Sequence, residues 1–217
     1  MPSRYVIRNF SEGTYYHIFN RGVERRLIFL DQQDYQVFMY YLNIYLLPLE
    51  KLLITYPEVP VNLQNKNLAK EVEMISFCLM PNHFHFLVHQ KSINGISKFL
   101  QRITNAYTYY FNERYKRVGS LFQGRFKAVL VESEDQLIQL SRYIHLNPVV
   151  ASLIQDPKEY RFSSYANYVS ENKSPLITDD VIKSFFKNSD SYSNFVTSYI
   201  DYATDLAKIK HLTLEEG

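Results

Sequence analysis

The chain has 217 residues, of which 46% are hydrophobic and 21% are charged, and its formal net charge is +2. This composition supports a substantial core, and no run of about 18 apolar residues predicts a membrane span. The single cysteine, Cys78, excludes an intramolecular disulfide, and the amino terminus lacks the apolar segment of a signal peptide. We therefore expect a cytoplasmic globular protein with one domain and an appendage, or with two small domains.

The first half of the chain predicts two strands separated by a helix and an irregular segment. Residues 14–19 form the first strand, and a helix runs from residue 31 to about residue 47, with apolar residues at helical spacing. Residues 48–70 contain prolines and a polar run, which predicts a loop or an irregular insertion. Residues 72–79 form the second strand.

The second half predicts two more strands, each followed by a helix, and then a helical tail. The predicted elements are a strand at 83–90, a helix from about Asn94 to before Gly119, a strand at 125–131, a helix capped by Ser133 and stopped by Pro148, a wrap at 149–169, and short tail helices at 179–187 and 190–200. This order predicts an α+β fold with a small antiparallel sheet and helices on one or both of its faces.

The charges are distributed unevenly along the chain. Between residues 83 and 131 there are eight lysines and arginines and a single acid, Glu113, whereas residues 170–217 carry eight acids and five bases. A locally basic segment is typical of an anion-binding surface, and nucleic acid is the expected partner. The alternative is a solvated helix face with an accidental charge imbalance.

A pair of histidines, His83 and His85, lies in the third predicted strand. Residues two apart in a strand point to the same face, so the two imidazoles can bind one divalent metal ion. The alternating residues Phe84, Phe86 and Val88 then point into the core. Of the four other histidines, His17 and His145 are interpreted as packing or hydrogen-bonding residues and His89 as a structural residue.

The helix capped by Ser133 carries a second pair, Tyr143 and Asn147, which share one helical face. If the apolar side of this helix packs inward, Asn147 can give the metal an oxygen ligand while Tyr143 stands near a phosphate. A tyrosine phenol has a pKa of about 10 and is a weak nucleophile until a nearby cation favours its phenolate. The pattern predicts attack on a phosphodiester, although composition alone does not select Tyr143 among 19 tyrosines.

Six motifs in order resemble the HUH-class single-tyrosine transposases, especially the REP-associated tyrosine transposases. They are YHIFNRG at 16–22, CLMPNHFHFLV at 78–88, YFN at 110–112, GSLFQGRF at 119–126, RYIHLNPV at 142–149 and YRFSSY at 160–165. The resemblance covers roughly residues 14–168. It departs from the family at Val150, where an arginine is frequent, and at Phe122 and Phe162, where tryptophan is frequent.

The resemblance implies a ferredoxin-like (RRM-like) fold with the histidine pair on a central strand. It implies a Mg²⁺- or Mn²⁺-dependent single-strand DNA endonuclease and strand transferase, with His83, His85 and Asn147 as metal ligands and Tyr143 as the nucleophile. The implied partner is single-stranded or hairpin-forming DNA, and a homodimer is possible. Residues 1–169 are expected to form the transposase domain and residues 170–217 a helical extension of unknown role.

Six basic residues are the predicted DNA contacts. They are Arg21, Arg114, Lys116, Arg117, Arg125 and Lys127.

Two other functions are left open by the residues. One is a non-catalytic module with an RRM-like sheet that binds single strands, and the other is a metal-dependent hydrolase that uses water as its nucleophile.

Overall fold

The computed structural model describes residues 10–171 and 173–214, and for residues 208–214 it describes the backbone alone. The strands are β1 (Thr14–Arg21), β2 (Val72–Met80), β3 (His83–Gln90) and β4 (Lys127–Val131). The helices are α1 (Gln32–Leu46), α2 (Leu49–Thr55), α3 (Val61–Gln64), α4 (Gly95–Tyr115), α5 (Glu134–Val150), α6 (Tyr165–Val169), α7 (Asp180–Lys183), α8 (Ser189–Thr197) and α9 (Ile200–Leu214).

The four strands form one antiparallel sheet in the order β2-β3-β1-β4, so β3 and β1 are its central strands. This arrangement confirms the predicted α+β, ferredoxin-like fold class. Directly opposed residues of antiparallel strands point to the same face of the sheet. Because Phe19 pairs with His85 and Arg21 pairs with His83, these four side chains lie on one face.

The opposite face of the sheet carries the main core and is covered by α1 and α4. Phe84, Phe86 and Val88 of β3 are fully buried there, as their alternation with the histidines predicts. Helix α4 is amphipathic, and the hydroxyl of its buried Tyr107 donates to the Ile28 carbonyl. Across the described ranges, no helix combines the length and the apolar character that a membrane span requires.

Helix α5 packs against β2, β3 and β4 on the histidine face. Its cap forms as predicted, because the Ser133 side chain accepts a hydrogen bond from the Gln136 backbone N–H. Leu137 and Ile144 are buried on the side that faces the sheet. The prediction that Pro148 ends this helix is wrong, since the helix continues to Val150. A proline in the last turn removes one hydrogen bond just before the helix would end.

Two other parts of the prediction are corrected by the structure. Residues 48–70 contain two short helices, α2 and α3, rather than an irregular loop, and each begins directly after a proline. The tail is more helical than predicted, because α9 follows α8 and runs from Ile200 to Leu214.

The carboxy-terminal extension is joined to α5 by a buried chain of hydrogen bonds. His145 Nδ1 lies 2.7 Å from the Tyr192 hydroxyl of α8, and His145 Nε2 lies 2.8 Å from Ser164 Oγ. The Tyr192 hydroxyl donates in turn to Ser141 Oγ. Tyr192 and Val196 are fully buried in the same core cluster as the sheet residues, so residues on both sides of the predicted domain boundary at 169/170 share one core.

We predict that Tyr192→Phe lowers the free energy of unfolding by about 1–3 kcal/mol, because the substitution leaves the buried His145 N–H without an acceptor. Urea denaturation measures the loss. The control is Tyr202→Phe, which removes a hydroxyl from a residue that is 58% exposed, and its effect is expected within about 0.5 kcal/mol. Equal stabilities of the two variants would contradict the role of the chain of hydrogen bonds.

Candidate active site

The turn between β2 and β3 places the histidine pair at the end of the central strands. The two-residue turn, Pro81 and Asn82, is tied to the segment after β1, because the Pro81 carbonyl accepts from the N–H groups of Ile28 and Phe29. The Gly22 N–H donates to the Asn82 carbonyl. A side chain at position 22 would meet the Arg26 carbonyl at 2.2 Å, so this close approach requires glycine.

His83 is held in one tautomer by Asn82. The Asn82 amide nitrogen donates to the Arg25 carbonyl, which leaves its Oδ1 facing His83 Nδ1 at 2.6 Å. An amide oxygen only accepts, so Nδ1 carries the proton and Nε2 keeps a free lone pair. Burial, with a smaller effect of Arg21, lowers the pKa of His83 to about 4. The imidazole is therefore neutral at physiological pH.

His85 is paired with His17, the residue that projects from β1 beside it. His17 Nε2 and His85 Nδ1 lie 2.9 Å apart, and one of them donates to the other. If His85 donates, its Nε2 keeps a lone pair and can bind a metal. Burial, with smaller effects of His17 and His83, holds the pKa of His85 well below its usual range, and burial lowers that of His17 to about 4.

Tyr143 projects from α5 onto this histidine cluster. Its ring centroid lies 5.5 Å from that of His85 and 6.1 Å from that of His17, with the rings in edge-on orientations. The residue is 51% exposed, so a ligand can reach it. Desolvation raises the pKa of the phenol above 10, and the side chain of Asn147 partly opposes this rise. The structure thus brings together three of the four principal predicted residues.

Asn147 lies one turn further along α5 and faces a different space. Its amide nitrogen donates to the Tyr143 carbonyl at 2.8 Å. Tyr143 and Asn147 line a cavity of about 400 Å³ between α5 and α9, which the histidines do not line. Arg142 also lines this cavity, and its guanidinium lies 3.7 Å from the centroid of the Tyr199 ring. The role of Asn147 as a metal ligand stays a prediction.

The histidine cavity has a volume of about 480 Å³ and a cationic lining. Its lining residues are Phe19, Asn20, Arg21, Asn82, His83, His85, Gln123, Lys127 and Tyr143. Arg21 and Lys127 are the charged members, and no carboxylate is among these residues. Within the described part of the chain, no three His, Cys, Asp or Glu residues are grouped to hold a metal ion. The cavity suits an anionic ligand such as a phosphodiester.

The six predicted DNA contacts fall in different places. Arg21 and Lys127 line the histidine cavity, with both the Arg21 Nε and Nη2 groups donating to Gln123 Oε1. Arg125 is exposed at a neighbouring cleft. Arg114 is engaged elsewhere, because its guanidinium binds the carboxylates of Asp31 and Asp34.

The remaining two cations lie just beyond the end of α4. Lys116 is exposed and has a left-handed backbone with φ of 51°. Arg117 donates to Asn112 Oδ1 and to the Ser120 carbonyl. The DNA-binding role of all six residues stays a prediction.

The residues that contact the predicted ligands and hold them in place were not among the predicted site residues. His17 was expected to pack or to form a hydrogen bond, but its partner, His85, was not identified. Asn82 and Gln123 were missed as neighbours of His83 and Arg21. Asn82 could have been found, because it directly precedes the histidine pair in a two-residue turn, whereas the others depend on strand register.

Two comparisons with known proteins bear on this site. Residues 56–147 match the family model described as "Transposase IS200 like", and this range includes the histidine pair, Tyr143 and Asn147. Among solved structures, a REP-associated tyrosine transposase bound to a REP hairpin matches with a TM-score of 0.51 at 17% identity. This match covers 82% of the present chain and 93% of that one.

The predicted resemblance to the REP-associated tyrosine transposases is confirmed. The IS200-like match carries the sequence resemblance, and the structural match at this low identity shows a shared fold. No curated protein matches the chain significantly.

We predict that the free energy of unfolding falls as the pH drops from about 6.5 to 4 in metal-free buffer. Unfolded histidines titrate near pH 6.5, whereas burial lowers the pKa of His17 and His83 to about 4 and that of His145 to about 3. The unfolded chain therefore takes up protons first and is favoured. Urea denaturation across this pH range measures the slope. A double variant, H83N/H85N, should show a shallower slope, and an unchanged slope would contradict the assignment.

Proposed function

We propose that the protein is a transposase-like DNA strand transferase that nicks single-stranded, hairpin-forming DNA through a covalent 5′-phosphotyrosine intermediate. The observation that carries this proposal is the position of the half-exposed Tyr143 phenol against the neutral His85 imidazole, in a cavity lined by cations and no carboxylate. The IS200-like family match supports a transposase function, and the hairpin in the similar solved structure supports the class of substrate.

In the proposed reaction, the Tyr143 hydroxyl oxygen attacks the phosphorus of a phosphodiester. The new bond joins Tyr143 Oη to phosphorus, and the bond between phosphorus and the 3′-oxygen breaks. The phenol loses one proton and the leaving 3′-oxygen gains one, so the step is balanced without an oxidant or a nucleotide. Arg21 and Lys127 attract and hold the phosphate charge during the attack. The reverse reaction, with a new 3′-hydroxyl, rejoins the strand.

The residues present fit a divalent metal ion such as Mg²⁺ or Mn²⁺. Asn82 occupies Nδ1 of His83, which leaves its Nε2 as a neutral ligand, and the Nε2 of His85 is available in the same way when His85 donates its Nδ1–H to His17. Asn147 is the proposed third ligand. When bound, such an ion polarises the phosphate oxygens and lowers the pKa of a nearby phenol.

A water-using hydrolase is less well supported than a strand transferase. Such an enzyme needs a group that orients and deprotonates water, and carboxylates usually take part. The histidine cavity has no carboxylate among its lining residues.

A non-catalytic binding module, in turn, would need neither an exposed phenol nor two neutral imidazoles in the same cavity. A homodimer stays a prediction.

We predict that Tyr143→Phe abolishes covalent adduct formation on hairpin DNA with a single-stranded flank in the presence of Mn²⁺. The substitution removes the nucleophilic oxygen and keeps the ring, so DNA binding should change less than about threefold. Denaturing gel electrophoresis of labelled DNA detects the adduct. The matched control is Tyr109→Phe, which alters a tyrosine that is 70% exposed on α4. An adduct formed by the Tyr143→Phe variant would refute the assignment.

We predict that His17→Ala weakens Mn²⁺ binding by about 10- to 100-fold, because His85 loses the partner that orients it. His17→Gln should recover part of the affinity, since its amide oxygen can accept the His85 Nδ1–H. Isothermal titration calorimetry or electron paramagnetic resonance measures the affinity without DNA.

His89→Ala serves as the control for this experiment. His89 lies on the same strand face, but it binds Glu73 and stacks on Tyr15. If His17→Ala bound Mn²⁺ as tightly as this control, the orienting role of His17 would be wrong.

A further inference from the structure

A second cleft, with a volume of about 750 Å³, lies between α4 and the segment that leads into β4. We call it the α4 cleft. Its lining residues are Asn20, Ser97, Gln101, Thr104, Asn105, Thr108, Ser120, Leu121, Phe122, Gly124, Arg125 and Phe126. Its volume is within the range of small-molecule sites and is sufficient for an unstacked nucleotide.

One wall of the α4 cleft is a stripe of uncharged polar side chains on α4. Residues 97, 101, 104, 105 and 108 follow helical spacing and therefore share one face of the helix. Such side chains are neither the charged residues of a solvated face nor the apolar residues of a core. A stripe of hydroxyl and amide groups along a cleft is suited to hydrogen bonding with a polar, uncharged group.

Two members of the stripe have unused hydrogen-bonding capacity. The side chains of Gln101 and Asn105 are exposed, and within the described ranges neither amide group makes a hydrogen bond. Each amide offers a donor and an acceptor in one plane. This combination matches the donor and acceptor pairs on the edges of nucleic-acid bases.

The other wall of the α4 cleft provides charge and an aromatic surface. Arg125 is exposed, with its guanidinium 5.6 Å from the centroid of the partly buried Phe126 ring. No acidic side chain lines the cleft. A cation beside an aromatic ring, with amides opposite, combines the contacts that single-stranded DNA uses for its phosphates and its bases.

The α4 cleft is adjacent to the histidine cavity across a single segment of the chain. Within residues 123–127, Gln123 and Lys127 line the histidine cavity, whereas residues 124–126 line the cleft. Asn20 lines both spaces, and its amide nitrogen donates to the Gly124 carbonyl. A single strand of DNA that leaves the histidine cavity across this segment therefore enters the α4 cleft directly.

We infer that the α4 cleft binds the single-stranded DNA that flanks the cleaved phosphate and reads one of its bases. Gln101 and Asn105 contact the base edge, the exposed part of the Phe126 ring, which also stacks on Phe10, contacts the base, and Arg125 contacts the adjacent phosphate. The cleft is then a specificity site distinct from the residues that act on the phosphate. This inference rests on the proposed function, since it takes DNA as the ligand of the histidine cavity.

The test compares DNA binding by two variants that each remove two amide groups. Both carry Tyr143→Phe so that binding is measured without cleavage. Q101A/N105A alters the α4 cleft, and Q32A/Q33A removes two exposed amides at the start of α1, outside the cleft. The probes are labelled hairpins with a randomised single-stranded flank on the 5′ side, on the 3′ side, or on neither side.

Fluorescence anisotropy and sequencing of the bound flanks measure the outcome. We expect Q101A/N105A to bind the preferred flanked hairpin at least about fivefold more weakly and to lose preference at one flank position. Its affinity for the hairpin without a flank should equal that of Q32A/Q33A. Arg125→Ala should weaken binding of every flank equally and should reduce the salt dependence.

The inference is overturned if Q101A/N105A keeps the affinity and the flank preference of the control. A loss of affinity that is equal with and without a flank would also overturn it, because the cleft would then bind another part of the DNA or only support the fold. Failure of the proposed function is distinguishable, since it is decided by the Tyr143→Phe adduct assay and not by binding. Flank-dependent binding without any adduct would leave the cleft as the reading site of a non-catalytic protein.

Discussion

The register between β1 and β3 is the constraint on which the candidate site depends. It places Phe19 opposite His85 and Arg21 opposite His83, with His17 opposite Leu87, two pairs beyond Phe19 and on the same face. Because side chains alternate between faces, a shift of one residue would turn His17 and Arg21 away from the histidine pair and towards the main core. The alternating phenylalanines of β3 oppose such a shift, since they would lose their burial. The hydrophobic core therefore maintains the hydrogen bond that orients His85.

The position of the phenol depends on a different set of contacts. Helix α5 is capped by Ser133 at its start and is held near its centre by the buried hydrogen bonds of His145. His145 and Tyr143 are two residues apart and point in different directions, so the bonds that fix one side of the helix also orient the other. Through Tyr192, the carboxy-terminal extension takes part in this positioning. It is packed against the helix of the proposed nucleophile rather than attached at a distance from it.

Local patterns in the sequence predicted the sheet, the histidine pair, the cap of α5 and the shared face of Tyr143 and Asn147, because each depends on residues close together in the chain. The partners of these residues could not be predicted in the same way. His17 and His85 are 68 residues apart, and their contact depends on pairing between strands. The helices α2 and α3 were missed for a local reason: Pro48 and Pro60 were interpreted as breaks, although a proline also precedes or begins many helices.

Desolvation by the surrounding protein has opposite consequences for the two kinds of group in the site. It keeps His83 and His85 neutral, which is the form that binds a metal ion. It also raises the pKa of Tyr143, which makes the phenolate less accessible. Arg21 and Lys127 line the same cavity without reversing this rise, so the proposed mechanism would need further positive charge near the imidazoles. Under the proposed mechanism, the same desolvation would keep the imidazoles in the form that binds a metal ion and would keep the phenol protonated until such an ion is bound.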